Sequence, residues 1–91
     1  MNNKLCSYIG FAIKSGLVYI GVDNIKPNAE VCLITNNLAE NSKEKINNFK
    51  NLKVFEIDQS IFDKMLNAGV KVISIKKSEL SKAIVKLLEE K

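Results

Sequence analysis

The sequence has no histidine and no tryptophan, and its 14 basic residues are all lysine. Without histidine, no side chain has an ordinary pKa suited to proton transfer near neutrality. Without arginine, no planar fork is present to clamp a carboxylate or phosphate, or to read guanine through paired hydrogen bonds. Cysteine is confined to Cys6 and Cys32, which stand apart in a helix-like and a strand-like segment. With no CxxC pair and no histidine, a zinc site lacks ligands, so no metal is expected. Two reduced, buried thiols fit a cytoplasmic protein better than a disulfide does. There is no run of 18 apolar residues and hence no expected membrane span. The opening "MNNKLCSYIGFAIKSG" places a lysine before an apolar stretch, as a signal peptide would. Polar residues recur inside that stretch and no small-x-small cleavage site follows, so it reads as an amphipathic helix of the mature chain.

What is present fits one small α/β domain over residues 1–91. The hydrophobic fraction of 46% and charged fraction of 26% are those of an ordinary globular protein. The net charge of +4 leans towards an anionic partner, although richness in Lys, Asn and Ile is also what an AT-rich genome leaves behind. Leu5, Tyr8, Ile9, Ala12 and Ile13 recur at helical spacing, with Asn2 or Asn3 able to cap the start and Gly16 able to stop the end. "LVYI" (17–20) reads as a short strand. Asp23 to Lys26 has room for barely one helical turn before Pro27. "EVCLIT" (30–35) is a continuous apolar run, the mark of a strand covered on both faces.

The following loop and helix direct Leu38, Ile46 and Phe49 inward, with Asn41 or Ser42 as the cap and Glu44 in the first turn. A third strand is expected over 52–57 and a helix over Ser60 to Asn67, ended by "NAG". A fourth strand over 70–75 precedes a last helix capped by Ser78, with Leu80, Ile84, Leu87 and Leu88 as its inner stripe. The alternation predicts helices on both faces of a four-stranded parallel or mixed sheet.

No catalytic constellation emerges. Asp58 and Asp63 lie five apart, and Asp58 suits a helix cap better than an acid–base pair; Glu89 and Glu90 read as a solvated tail. Cys6 as a nucleophile would need a base that the sequence does not offer. Gly16 and Gly21 have the Gly-x4-Gly spacing of a phosphate loop, but strand-like "LVYI" fills the gap and Val22-Asp23 follows where Lys-Ser/Thr is needed. The expectation is a non-enzyme with no cofactor.

"LCSYIGFAIKSGLVYIG" resembles the opening of the kink-turn RNA-binding superfamily of ribosomal proteins L-seven-Ae and L-thirty-e. "VCLITNNLAENSKEKI" resembles the superfamily's second strand, loop and third helix, most of all those of small bacterial YlxQ-type members. The resemblance implies a three-layer α/β/α sandwich with a four-stranded mixed β-sheet. It also implies an RNA site with three elements. The first is Gly21, Val22, Asp23 and Asn24, with Lys14 beside it; the second is Asn36 and Asn37; the third runs from about Asp58 to Ser60 towards Lys64.

Where kink-turn binders carry Asn-Glu and then Lys, this chain has Asp23, Asn24 and Pro27; Leu17 replaces a basic residue, and the second helix is about a turn short. Lys64-Met65 stands where a Leu-Gly pair is common before the fourth strand. The implied partner is structured RNA, ribosomal or otherwise non-coding, in a ribosome- or translation-associated setting with altered kink-turn specificity. In that reading Gly21 lets RNA approach the backbone, Asn24, Asn36 and Asn37 bond base edges or 2′-hydroxyls, and Lys14, Lys26 and Lys64 neutralise phosphates. The alternative is a protein-interaction module on the same fold, with ribosomal or translation proteins as possible partners.

Overall fold

The computed structural model describes residues 2–66 and 69–90, and its elements follow the alternation expected. Helix α1 (Asn2–Lys14) buries Leu5, Ile9 and Ala12 and half-buries Tyr8. Ile13, expected inside, is 37% exposed, because it lies at the edge of that stripe. Gly16, at φ +71°, stops the helix: its N–H donates to the Ile13 carbonyl at 3.1 Å, and the Leu17 N–H to that of Ala12 at 2.9 Å. That pair of bonds is a Schellman motif, whose left-handed residue favours glycine.

Strand β1 (Val18–Ile20) follows, then a single 3-10 turn (Val22–Asn24) where the sequence allows barely one turn. Next come β2 (Ala29–Thr35), α2 (Glu40–Asn47), β3 (Lys53–Ile57), α3 (Gln59–Met65), β4 (Val72–Lys76) and α4 (Glu79–Glu89). The sheet order is β1-β4-β2-β3; β4 is antiparallel to both neighbours and β2 is parallel to β3. It is therefore a four-stranded mixed sheet in an α/β fold. Central β2 is buried from Val31 to Thr35, as its unbroken apolar run requires.

Period-two alternation divides the core. Val31, Leu33, Ile73 and Ile75 gather Leu5 and Ile9 of α1, Ile61 and Phe62 of α3, and Ile84 and Val85 of α4. Cys32, Ile34 and Val72 gather instead with Ile25, Leu38 and Ile46, joined by half-buried Phe49. Burial at Cys32 pushes its thiol up to about 12, so it stays protonated and behaves as a small apolar side chain. Cys6 is also a free thiol but only half-buried, not fully as expected.

Two caps differ from expectation and one agrees with it. Helix α2 starts at Glu40 with Ala39 at its N-cap and no side-chain capping bond, two residues or more before Asn41 or Ser42 could act. Asp58 does occupy the N-cap of α3, but its carboxylate makes no capping bond. Ser78 caps α4 as expected: its Oγ accepts the Ser81 N–H at 3.1 Å while the Ser81 Oγ accepts the Ser78 N–H at 2.8 Å. Any side-chain cap by Asn2 or Asn3, and the "NA" expected to end α3, lie outside the described residues.

Candidate nucleic-acid interface

The strand directions place three loops at one end of the sheet. Antiparallel β1 and β4 put the end of β1 beside the start of β4, and the Gly21 N–H donates to the Val72 carbonyl at 2.9 Å. The end of β2 reaches the same place from the other side of β4, with the Thr35 N–H on the Lys71 carbonyl at 3.1 Å. Parallel pairing of Thr35 with Ile57 then adds the end of β3 and Asp58. Gly21–Asn24, Asn36–Asn37 and Asp58–Ser60, separated in sequence, thus share a corner.

Local bonds shape this corner. Gly21 has φ 94° and ψ 152°, a conformation essentially confined to glycine, and it turns the chain out of β1. The Asn24 side-chain amide donates back to the Ile20 carbonyl at 2.6 Å, holding the 3-10 turn against the strand it leaves. Asp23 is exposed and accepts from the Lys45 Nζ of α2 at 3.3 Å. Thr35, fully buried, donates its hydroxyl to the Asn37 Oδ1 at 2.7 Å, which fixes the Asn37 side chain and leaves its amide N–H groups to face outward partners. Gln59 braces the loop before β4 by donating to the Val70 carbonyl at 3.1 Å and to Asp63 at 3.0 Å. A groove of about 220 Å³ beside these turns is lined by Asn36, Glu56 and Asp58 above the apolar Leu5, Ile57 and Ile61. Its charge is acidic, which repels phosphate.

The structure does not bring Lys14, Lys26 or Lys64 to this corner. Lys14 closes α1 just before Leu17, whose carbonyl accepts the Lys76 N–H at 2.8 Å at the opposite end of the sheet. Lys26 has been carried to that end too, since its carbonyl accepts the Ala29 N–H at 3.0 Å where β2 begins. The reason is Ile25: buried at 7% exposure in the second core, it draws residues 22–28 across the sheet face. Lys64 is exposed in the last turn of α3, roughly 9 Å along the helix axis from Asp58. Lys45 and Lys71 are the corner's lysines instead. Lys71, exposed just before β4, falls inside the strand expected over 70–75 and carried no signal of its own; nor did Lys45, which only the packing of α2 near the 3-10 turn brings to Asp23.

Among the described residues, no three or more Cys, Asp or Glu side chains gather to hold a metal ion, and no helix is long and apolar enough to cross a membrane. No family model matches the chain, and no curated protein matches it. Among solved structures, a protein with unknown function from Bacillus halodurans C is similar in fold. Its TM-score is 0.74, over 94% of this chain and 97% of that one, at 14% identity.

Proposed function

We propose that the protein is a non-catalytic, cytoplasmic RNA-binding protein associated with the ribosome or the translation apparatus. It is the reading that the resemblance of the first third and of residues 31–46 implies, on a three-layer arrangement of the fold. The observation supporting it is the meeting of Gly21–Asn24 with the end of β2 that leads into Asn36–Asn37: the Gly21 N–H donates to the Val72 carbonyl, and the Thr35 N–H to that of Lys71 just before β4. Such a corner offers glycine backbone for close approach and asparagine amides for base edges or 2′-hydroxyls of structured RNA. Specificity differs from kink-turn recognition, because Asp23 is paired with Lys45 and the Asn24 amide is spent on the Ile20 carbonyl. Crosslinking in cells followed by sequencing of the attached RNA tests this: enrichment of one structured RNA class supports it, and background RNA alone overturns it.

One observation favours a protein partner instead. Phe11 of α1 is 60% exposed, and with Gly10 it borders an open groove with Met65 of α3. In that reading the corner is vestigial, and Phe11→Ala weakens a protein complex while leaving RNA recovery at background.

A further inference from the structure

The opposite end of the sheet has a different character. There β2 and β3 begin, while antiparallel β4 finishes, so that Lys76 pairs with Ala29 and the Lys77 N–H donates to the Asn28 carbonyl at 2.9 Å. This geometry collects Lys26, Lys50, Lys76 and Lys77 from distant parts of the sequence, all exposed. Among the described residues none of these lysines has a carboxylate within 4.0 Å, whereas Lys53 nearby is paired with Glu89 at 3.5 Å. Two adjoining grooves, of about 270 and 250 Å³, share Pro27, Ala29 and Asn51. Lys26 and Lys50 border the first with Asn48; Lys77 borders the second with Asn28.

The acids here are few. Glu30 borders the second groove, but its Oε1 accepts the Ser81 hydroxyl at 2.6 Å, which ties it to the base of α4. Glu79 opens α4. The lysines outnumber them, and they are compact point charges of the kind that neutralises phosphate without reading bases. The flanking Asn28, Asn48 and Asn51 add amide donors for phosphate or ribose oxygens. The one aromatic in either groove, Phe49, is half-buried, which leaves no exposed ring on which bases could stack.

We infer that this end of the sheet is a binding surface for the sugar–phosphate backbone of RNA, separate from the corner at Gly21. The inference rests on the RNA-binding reading and deepens it: the corner selects, and the lysine end supplies the charge that the corner lacks.

The test uses the full chain and fluorescence anisotropy with a labelled single-stranded RNA of mixed sequence and a labelled RNA hairpin, each titrated at several salt concentrations. Lys26→Glu, Lys50→Glu and Lys77→Glu together take the net charge from +4 to −2 (4 − 6). A control, Lys4→Glu with Lys82→Glu and Lys86→Glu, makes the same change on exposed positions of α1 and α4. At about 50 mM salt the first variant is expected to lose at least about tenfold in affinity for both RNAs, and the slope of log K against log salt to fall by about 2, from roughly 0.7 per lost phosphate contact. The control loses much less. The corresponding triple Gln variant, which only removes charge, keeps the test open should the reversal unfold the chain. Binding within twofold of wild type for both lysine-end variants overturns the surface, as does an equal loss in the control. Displacement of the RNA by polyglutamate at equal charge concentration overturns it in favour of an acidic protein partner. Asn36→Ala with Asn37→Ala separates the two readings. Loss of hairpin preference at intact slope supports the division of labour, whereas no effect there beside a lysine-end loss overturns the corner alone.

Discussion

The two ends of one small sheet differ in what they offer. At the first, the chain leaves β1, β2 and β3 in tight turns; backbone and asparagine amides are organised there, and Glu56 and Asp58 line the groove. At the second, β2 and β3 begin beside the end of β4, and Lys26, Lys50, Lys76 and Lys77 stand exposed. A net charge of +4 describes neither end. The mixed topology sorts the charges, because β4 runs against both neighbours and brings its final lysines to where β2 and β3 begin. Local field rather than net charge decides where a polyanion is drawn.

Perturbing each end, and the strand between them, separates what each contributes. The largest effect is expected midway, at Cys32. Its thiol is held up at about 12 by burial, against 9.0 for an exposed one. Below pH 9 both folded and unfolded chains keep the proton and stability is unaffected. Between pH 9 and 12 the unfolded chain ionises while the folded one does not, so stability falls, by up to about 4 kcal/mol at the top of the window. Urea unfolding of wild type against Cys32→Ala isolates this slope from pH effects common to both, and equal pH profiles would sink it.

Next are the two glycine turns. Gly21→Ala forces a side chain into φ 94°, ψ 152° and is expected to cost about 2 kcal/mol. Nothing crowds the added carbon, whose nearest neighbour is the Asn24 Nδ2 at 3.8 Å, so the cost is one of backbone strain. Gly16→Ala, at the left-handed φ of +71°, is expected to cost about 1 kcal/mol. A reversed order in chemical denaturation would contradict the geometry given for these turns. Ser78→Ala removes the cap of α4 near the basic end at about 1 kcal/mol, read as a loss of thermal stability. The smallest effect is Asp23→Ala at the corner, under about 0.5 kcal/mol, because its pair with Lys45 is exposed at 82% and 59%.

Much of the fold was legible because local signals agreed. The stripe of α1, the glycine stop at Gly16, the unbroken run of β2 and the cap at Ser78 each named an element. Helix α2 gave a misleading start, since Ala39 begins it without a capping side chain while Asn41 and Ser42 are better cappers in isolation. The order β1-β4-β2-β3 depends on pairing between segments distant in sequence, and nothing local encodes it. Convergence of the three loops was legible only through the family resemblance. Lys14 and Lys26 were misplaced because sequence neighbours of a corner need not stay there: β1 separates Lys14 from Gly21 by its own length. Val22 and Ile25 pack in the second core, so the chain leaves the corner at once and surfaces at the other end with Lys26. The basic end was hidden because Lys26, Lys50 and Lys76–Lys77 share no motif, only a place.

The most direct measurement is a titration of the isotopically labelled full chain with the RNA hairpin at low salt, following backbone amide shifts by NMR. Two separate sets of perturbed amides are expected, one around Gly21, Asn24, Asn36 and Asn37 and one around Lys26, Asn28, Lys50 and Lys77. Shifts confined to one end, shifts around Phe11 instead, or none at saturating RNA would contradict it.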